Sequence, residues 1–177
     1  MYSPQTFMSM NYSAIVTFGS NILILTHMNH TPLRIAVLIS GGGTNLQSLI
    51  DSSAMPDFPA KIVTVISNKR DAYGLTRAKN AGIKTHAITK KEFPNTDAFE
   101  LRLNALLDEH NIDVICLAGF MRILSPGFTQ KWESRILNIH PSLLPKYGGQ
   151  GMYGMHVHNA VVAAGEKESG ATVHLVT

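Results

Sequence analysis

From Arg34 onward, short continuous apolar runs alternate with segments whose apolar residues recur at helical spacing. The runs are "RIAVLI", "KIVTVIS", "IKTHAI", "DVICLA" and "RILNIH". Each is too short for a helix and is bounded by turn or polar residues, which predicts buried strands. Between them, "LQSLI" reads as helix, and "GLTRAKNAG" is a helix closed by Gly82. Residues 96–110 carry Phe99, Leu103, Leu106 and Leu107 on one helical face. Ser125-Pro126 predicts an N-cap and first helical residue ahead of "GFTQKWES". Residues 157–165 predict a further helix and "ATVHLVT" a last strand. This alternation predicts a doubly wound α/β fold with a mostly parallel sheet covered on both faces.

Sheets of this kind bind ligands at the carboxyl ends of their strands. Unusual stretches stand at three such ends: "SGGGTN" after the first, "AGFMRILSP" after the fourth and "HPSLLPKYGGQGMYG" after the fifth. In the first, glycines allow close backbone approach, and the following helix offers unpaired N–H groups and the positive end of its dipole. Two readings are open, a plain tight turn and a phosphate cradle in which Thr44 and Asn45 add side-chain bonds. A dinucleotide fingerprint fits poorly. Leu46 stands where its third glycine belongs, and the second strand ends in Ser67-Asn68-Lys69 without an acidic residue for a ribose. A P-loop lacks its Gly-Lys-Ser/Thr, which leaves a small monophosphate as the better fit.

The fifth run places two polar residues where a buried strand would be apolar. Strand side chains alternate faces, so Asn138 and His140 point one way and Leu137 and Ile139 the other, and Pro141 stops the strand. An Asn amide donates hydrogen bonds without titrating, and a His transfers protons near neutral pH. The pair suits acyl-type transfer, in which an oxyanion forms and a leaving group is protonated. A capped strand end with a hydrogen-bonded His is the plain alternative.

Composition narrows the class. The chain of 177 residues is 45% hydrophobic and 15% charged, a globular composition. The net charge of +3 suits an anionic ligand, but no Lys/Arg run points to nucleic acid. The single cysteine, Cys116, lies within an apolar run, excludes an intrachain disulfide and fits a reducing cytoplasm. Residues 1–33 contain no Lys, Arg, Asp or Glu and read as a loose extension ahead of a domain spanning 34–177. Their apolar part, "AIVTFGSNILIL", is too short and too polar for a membrane span, and Met28 is a candidate natural start. His156 and His158 lack a third metal ligand at a suitable spacing, and "PKYGGQGMYG" reads as a mobile surface loop near the crevice.

"VLISGGGTNLQSLI", "SNKRDAYGL", "LAGFMRILSP" and "ILNIHPSLLPKY", in this order and spacing, resemble the phosphoribosylglycinamide formyltransferases from about Arg34 to Thr177. These are folate-dependent enzymes of purine synthesis with a Rossmann-type fold. The resemblance implies transfer of a formyl group from the co-substrate 10-formyltetrahydrofolate to the amine of glycinamide ribonucleotide, without a metal, in a cytoplasmic monomer or homodimer. It places Gly43, Thr44 and Asn45 on the substrate phosphate and Met121, Arg122, Ile123 and Leu124 against the folate pterin. It makes Asn138 the residue that binds the formyl group and steadies the oxyanion, and His140 the proton donor. Thr96 stands on the folate side, where many members have an arginine.

The family also has an aspartate in an acidic, glycine-bearing loop after the strand resembling "ATVHLVT", and that carboxylate raises the histidine's pKa. The sequence stops at Thr177 and so reads as a piece lacking the C-terminal strand and helix, with little transferase activity expected of it. Other formyltetrahydrofolate-using transferases or hydrolases, or an inactive phosphate-binding fragment, are the alternatives. Residues 145–157 form the segment whose motion the sequence leaves open.

Overall fold

The computed structural model describes residues 14–18, 21–25, 31–149 and 151–176. The chain divides into two compact units, Met1–Pro32 and Leu33–Thr177. In the first, β1 (Ala14–Phe18) and β2 (Asn21–Leu25) form an antiparallel pair. The rest of the predicted extension, Met28 included, lies outside the described residues, as do Gln150 and Thr177.

The second unit holds a six-stranded sheet. Its strands are β3 (Leu33–Ile39), β4 (Ala60–Ser67), β5 (Lys84–Ala87), β6 (Val114–Leu117), β7 (Ile136–His140) and β8 (Thr172–Leu175). The spatial order is β5-β4-β3-β6-β7-β8, parallel throughout except for β8, which runs antiparallel to β7. The order reverses between β3 and β6. The chain steps outward from β3 to β5 on one side, then returns to lay β6 and β7 on the other.

Helices cover both faces because the strands are apolar on both. Val37 and Ile39 join a core with Leu46 of α1 (Thr44–Ser53) and Leu75 and Ala78 of α2 (Tyr73–Asn80). Leu38, Ile115 and Ile136 join the opposite core with α3 (Thr96–Glu109) and α4 (Pro126–Lys131). Phe99, Leu103, Leu106 and Leu107 are all buried there, as the helical spacing predicts. Burial of a side chain such as Phe99 stabilises by roughly 1.5–3 kcal/mol.

The helix ends follow local chemistry. Ser125 caps α4, its Oγ accepting from the Phe128 N–H at 3.2 Å. α4 stops earlier than the sequence predicts: beyond Lys131 the chain tightens into turns, the Glu133 N–H donating to the Gln130 carbonyl at 3.2 Å, and Ser134 at φ 60° leads into β7. Phe128 and Trp132 are buried, and the Trp132 indole N–H donates to Asn104 Oδ1 at 2.8 Å. Gly82 closes α2, its N–H donating to the Lys79 carbonyl and that of Ile83 to the Ala78 carbonyl. α5 (Met155–Ala163) starts two residues before the predicted helix and ends before Gly165, whose φ of 65° closes it in the same way.

A histidine pair ties the edge strand to α3. His86 Nε2 on β5 lies 3.0 Å from His110 Nε2 at the C-cap of α3. One nitrogen must carry a hydrogen and the other accept it, so an added proton on the acceptor breaks the bond. Burial, then the neighbouring His110, lower the His86 pKa below 6.5; Arg102 and Lys84 add to this and Glu109 opposes it. The unfolded chain therefore takes up this proton first as pH falls. Stability present above pH 6.5 is lost as pH falls from there through the folded-state value. The urea midpoint is expected to drop with acidification below pH 6.5, and His86→Leu to flatten that part of the profile.

Candidate functional site

Where the strand order reverses, the C-terminal ends of β3 and β6 lie side by side with loops leaving in opposite directions, the position at which such sheets bind ligands. From β3 the chain passes through Ser40 and three glycines into α1. Gly43 is the N-cap of α1, with φ 72° and no side-chain cap, so the N–H groups of the first turn stay open to an anion. Thr44 and Asn45 beside them are exposed.

α2 braces this loop. The Gly74 N–H donates to the Gly41 carbonyl at 3.0 Å, and Arg77 Nε donates to the Gly42 carbonyl at 2.9 Å. A Cβ on Gly43 would lie 2.7 Å from Gly74 Cα, and one on Gly74 would lie 2.5 Å from Ile39 Cδ1. Gly43 is therefore required by its positive φ and by the closeness of α2, independently of any ligand. The sequence reading assigned its smallness to ligand approach and missed Gly74 and Arg77. A glycine in the first turn of α2 was the available signal.

From β6, Gly119 turns the chain with φ 76° into Phe120–Ser125. Met121 and Ile123 are 52% and 91% exposed, whereas Leu124 is buried. Among the described residues, the backbone N–H and carbonyl groups of Arg122, Ile123 and Leu124 make no hydrogen bonds. Arg122 itself is held back on α3: its Nη2 donates to Thr96 Oγ1 at 3.3 Å, and its guanidinium lies 3.9 Å from the centroid of the Phe99 ring. The segment thus presents apolar side chains and open backbone groups together, which suits a flat ligand with its own donors and acceptors.

At the end of β7, Asn138 and His140 share a face, and both have defined partners. His174 on β8 pairs directly with Asn138. The Leu175 carbonyl, 3.0 Å from His174 Nδ1, can only accept, so Nδ1 carries the hydrogen. Nε2 then accepts from Asn138 Nδ2 at 3.1 Å, which orients the amide and leaves its second N–H and its Oδ1 free. By the same reasoning His140 Nε2 donates to the Tyr147 carbonyl at 2.8 Å, leaving Nδ1 to exchange a proton with a ligand. Tyr147 is anchored through its hydroxyl, which donates to Glu166 Oε1 at 3.0 Å, and Lys146 pairs with the same carboxyl at 2.9 Å. Hydrogen bonds from Lys146 and Tyr147 hold the Glu166 pKa below the usual carboxylate value.

Asn45 and Asn138 line one cleft of about 300 Å³ between α1 and the β6–β8 side of the sheet, with Leu137, Ile139 and Val173. Cys116 lines it too and is half-buried; burial pushes its thiol up to about 11, which leaves it protonated and unreactive near neutral pH. Lys69 and Arg70 fall elsewhere, in an open pocket with Lys90 and Lys91, where Arg70 pairs with Glu92. His156 and His158 lie on α5, and among the described residues no three potential metal ligands cluster. No helix among the described residues is long and apolar enough to cross a membrane.

These features define a doubly wound α/β domain with a candidate ligand site at its topological switch point. Residues 33–177 match the Formyl transferase family model, and the chain belongs to that family. It is 50% identical over 143 residues to a phosphoribosylglycinamide formyltransferase of Haemophilus influenzae, covering 81% of this chain and 65% of that protein. It is equally identical over 143 residues to the trifunctional purine biosynthetic protein adenosine-3 of Bos taurus, covering 81% of this chain and 14% of that one. The fold resembles a solved phosphoribosylglycinamide formyltransferase from Brucella melitensis with a TM-score of 0.78 at 47% identity, covering 83% of this chain and 74% of that one.

The glycine contact yields a stability test. Gly74→Ala forces its methyl against Ile39 and the loop, and is expected to destabilise by about 1–3 kcal/mol. Gly42→Ala, whose Cβ meets nothing within 4 Å, is expected to be close to neutral. Denaturant titration of both variants checks the contrast.

Proposed function

We propose that this protein transfers a formyl group from 10-formyltetrahydrofolate to the amine of glycinamide ribonucleotide, in the cytoplasm and without a metal. The observation that carries the reading is the cleft in which Asn138 meets Asn45 of the first turn of α1, at the strand ends from which two elements of different character leave. One is a helix N-terminus without a side-chain cap, suited to a monophosphate. The other is the open backbone edge at Arg122–Leu124, suited to a pterin. Family membership and the names of the relatives support formyl transfer to phosphoribosylglycinamide.

In this reading Thr44, Asn45 and the Gly43–Asn45 backbone hold the phosphate. Met121, Arg122, Ile123 and Leu124 hold the pterin, with Thr96 behind Arg122. The substrate amine attacks the formyl carbon. Asn138 offers the oxyanion the N–H that His174 leaves free, while His140 Nδ1 takes the proton that the attacking amine sheds and passes it to the folate nitrogen as that nitrogen's bond to the formyl carbon breaks. Both groups sit on a strand or are tied to one, so little reorganisation is needed as charge develops.

In the native protein, Asn138→Ala is expected to lower kcat by roughly 10²-fold or more, as when an oxyanion donor is removed. Turnover of glycinamide ribonucleotide with 10-formyltetrahydrofolate should be insensitive to chelators. Undiminished turnover in the variant, or a requirement for a metal or a nicotinamide, would overturn the mechanism.

A further inference from the structure

We propose that Glu100, with Ser40, is a positioning residue that holds the Met121–Ser125 segment in its ligand-reading conformation; this rests on the reading of that segment as the folate contact. Glu100 lies on the apolar face of α3, between Phe99 and Leu103, and is 5% exposed. A carboxyl group there is a costly choice where an apolar side chain would extend the core. Among the described residues no Lys or Arg pairs with it. Its oxygens are instead occupied by a single residue: Oε1 accepts from the Ser125 N–H at 2.8 Å, and Oε2 accepts from the Ser125 hydroxyl. That hydroxyl in turn accepts from the Phe128 N–H, so Glu100 also orients the cap of α4.

The other end of the segment is held in the same manner. The Met121 N–H donates to Ser40 Oγ at 2.7 Å, and Ser40 is buried where β3 enters the glycine loop. Two buried side chains from different elements therefore fasten Met121 and Ser125. The three residues between them keep backbone groups unpaired and Ile123 in solvent. A segment with unpaired backbone has no hydrogen bonds of its own to fix its shape, so its shape depends on its ends. Capping α4 requires only Ser125; the acid in the core is explained by the need to fix where Ser125, and hence Leu124 and Ile123, stand.

The test is calorimetric binding of 10-formyltetrahydrofolate and, separately, of glycinamide ribonucleotide to the native protein and to Glu100→Ala, Glu100→Gln and Ser40→Ala, with Tm recorded. Glu100→Ala is expected to weaken folate binding about tenfold or more while ribonucleotide binding stays within about twofold, since both hydrogen bonds that hold Ser125 are lost. Glu100→Gln keeps an acceptor for the Ser125 N–H and should restore most of the affinity at unchanged ribonucleotide binding. Ser40→Ala should weaken folate more than ribonucleotide, and it carries the test if Glu100→Ala does not fold. Folate affinity unchanged in the folded variants, or equal weakening of both ligands, overturns the positioning role. Absence of folate binding to the unsubstituted protein overturns the functional reading, and this proposal with it.

Discussion

The pairing of β3 with β6 is the constraint from which the site follows. These strands are distant in sequence, yet Ile35–Leu38 lies in register with Val114–Leu117. β3 is buried on both faces from Ile35, whereas β6 is buried at Ile115 and Leu117 and half-buried at Val114 and Cys116, so a one-residue slip would bring its half-buried positions into the better-covered core. The register brings Ser40 to the start of the Met121 segment. The loops that leave β3 and β6 must then diverge, because the chain has already placed β4 and β5 on one side and β7 and β8 on the other. The crevice is a consequence of strand order.

Around that crevice, rigidity comes from partners that are themselves fixed. Gly43 is set by its approach to Gly74, the Met121–Ser125 segment by Ser40 and Glu100, Asn138 by His174, and His140 by the Tyr147 carbonyl. Each of these groups is thus on, or one hydrogen bond or close contact away from, a strand or a helix. Among the described residues, the first turn of α1 has no side-chain cap, the backbone at Arg122–Leu124 makes no hydrogen bonds, Asn138 keeps one N–H and His140 keeps its Nδ1.

The amide orientation at Asn138 shows how a neighbouring strand can determine chemistry. The backbone of β8 fixes the His174 tautomer through the Leu175 carbonyl, and that tautomer requires an N–H from Asn138 rather than its oxygen. β8 is the one antiparallel strand of the sheet, and only that pairing sets His174 directly opposite Asn138.

Much of this was legible in the sequence. Strands and helices were, because continuous apolar runs and the Phe99–Leu107 stripe encode burial locally. The glycine loop and the Asn138–His140 alternation were, because a helix N-terminus and a two-residue period are local geometry. Helix ends at Gly82 and Ser125 followed from capping chemistry, whereas the early stop of α4 at Lys131 and the left-handed Ser134 beyond it were announced by no local pattern. What only the tertiary structure decided are pairings between residues far apart in the chain: Gly43 with Gly74, Ser40 with Met121, Glu100 with Ser125, and His86 with His110. A charged residue in the apolar stripe of α3 could have marked Glu100 as unusual, but not its partner. Periodicity reports which face of an element is buried; it carries no information about which residue of another element meets it, since that depends on strand order and register.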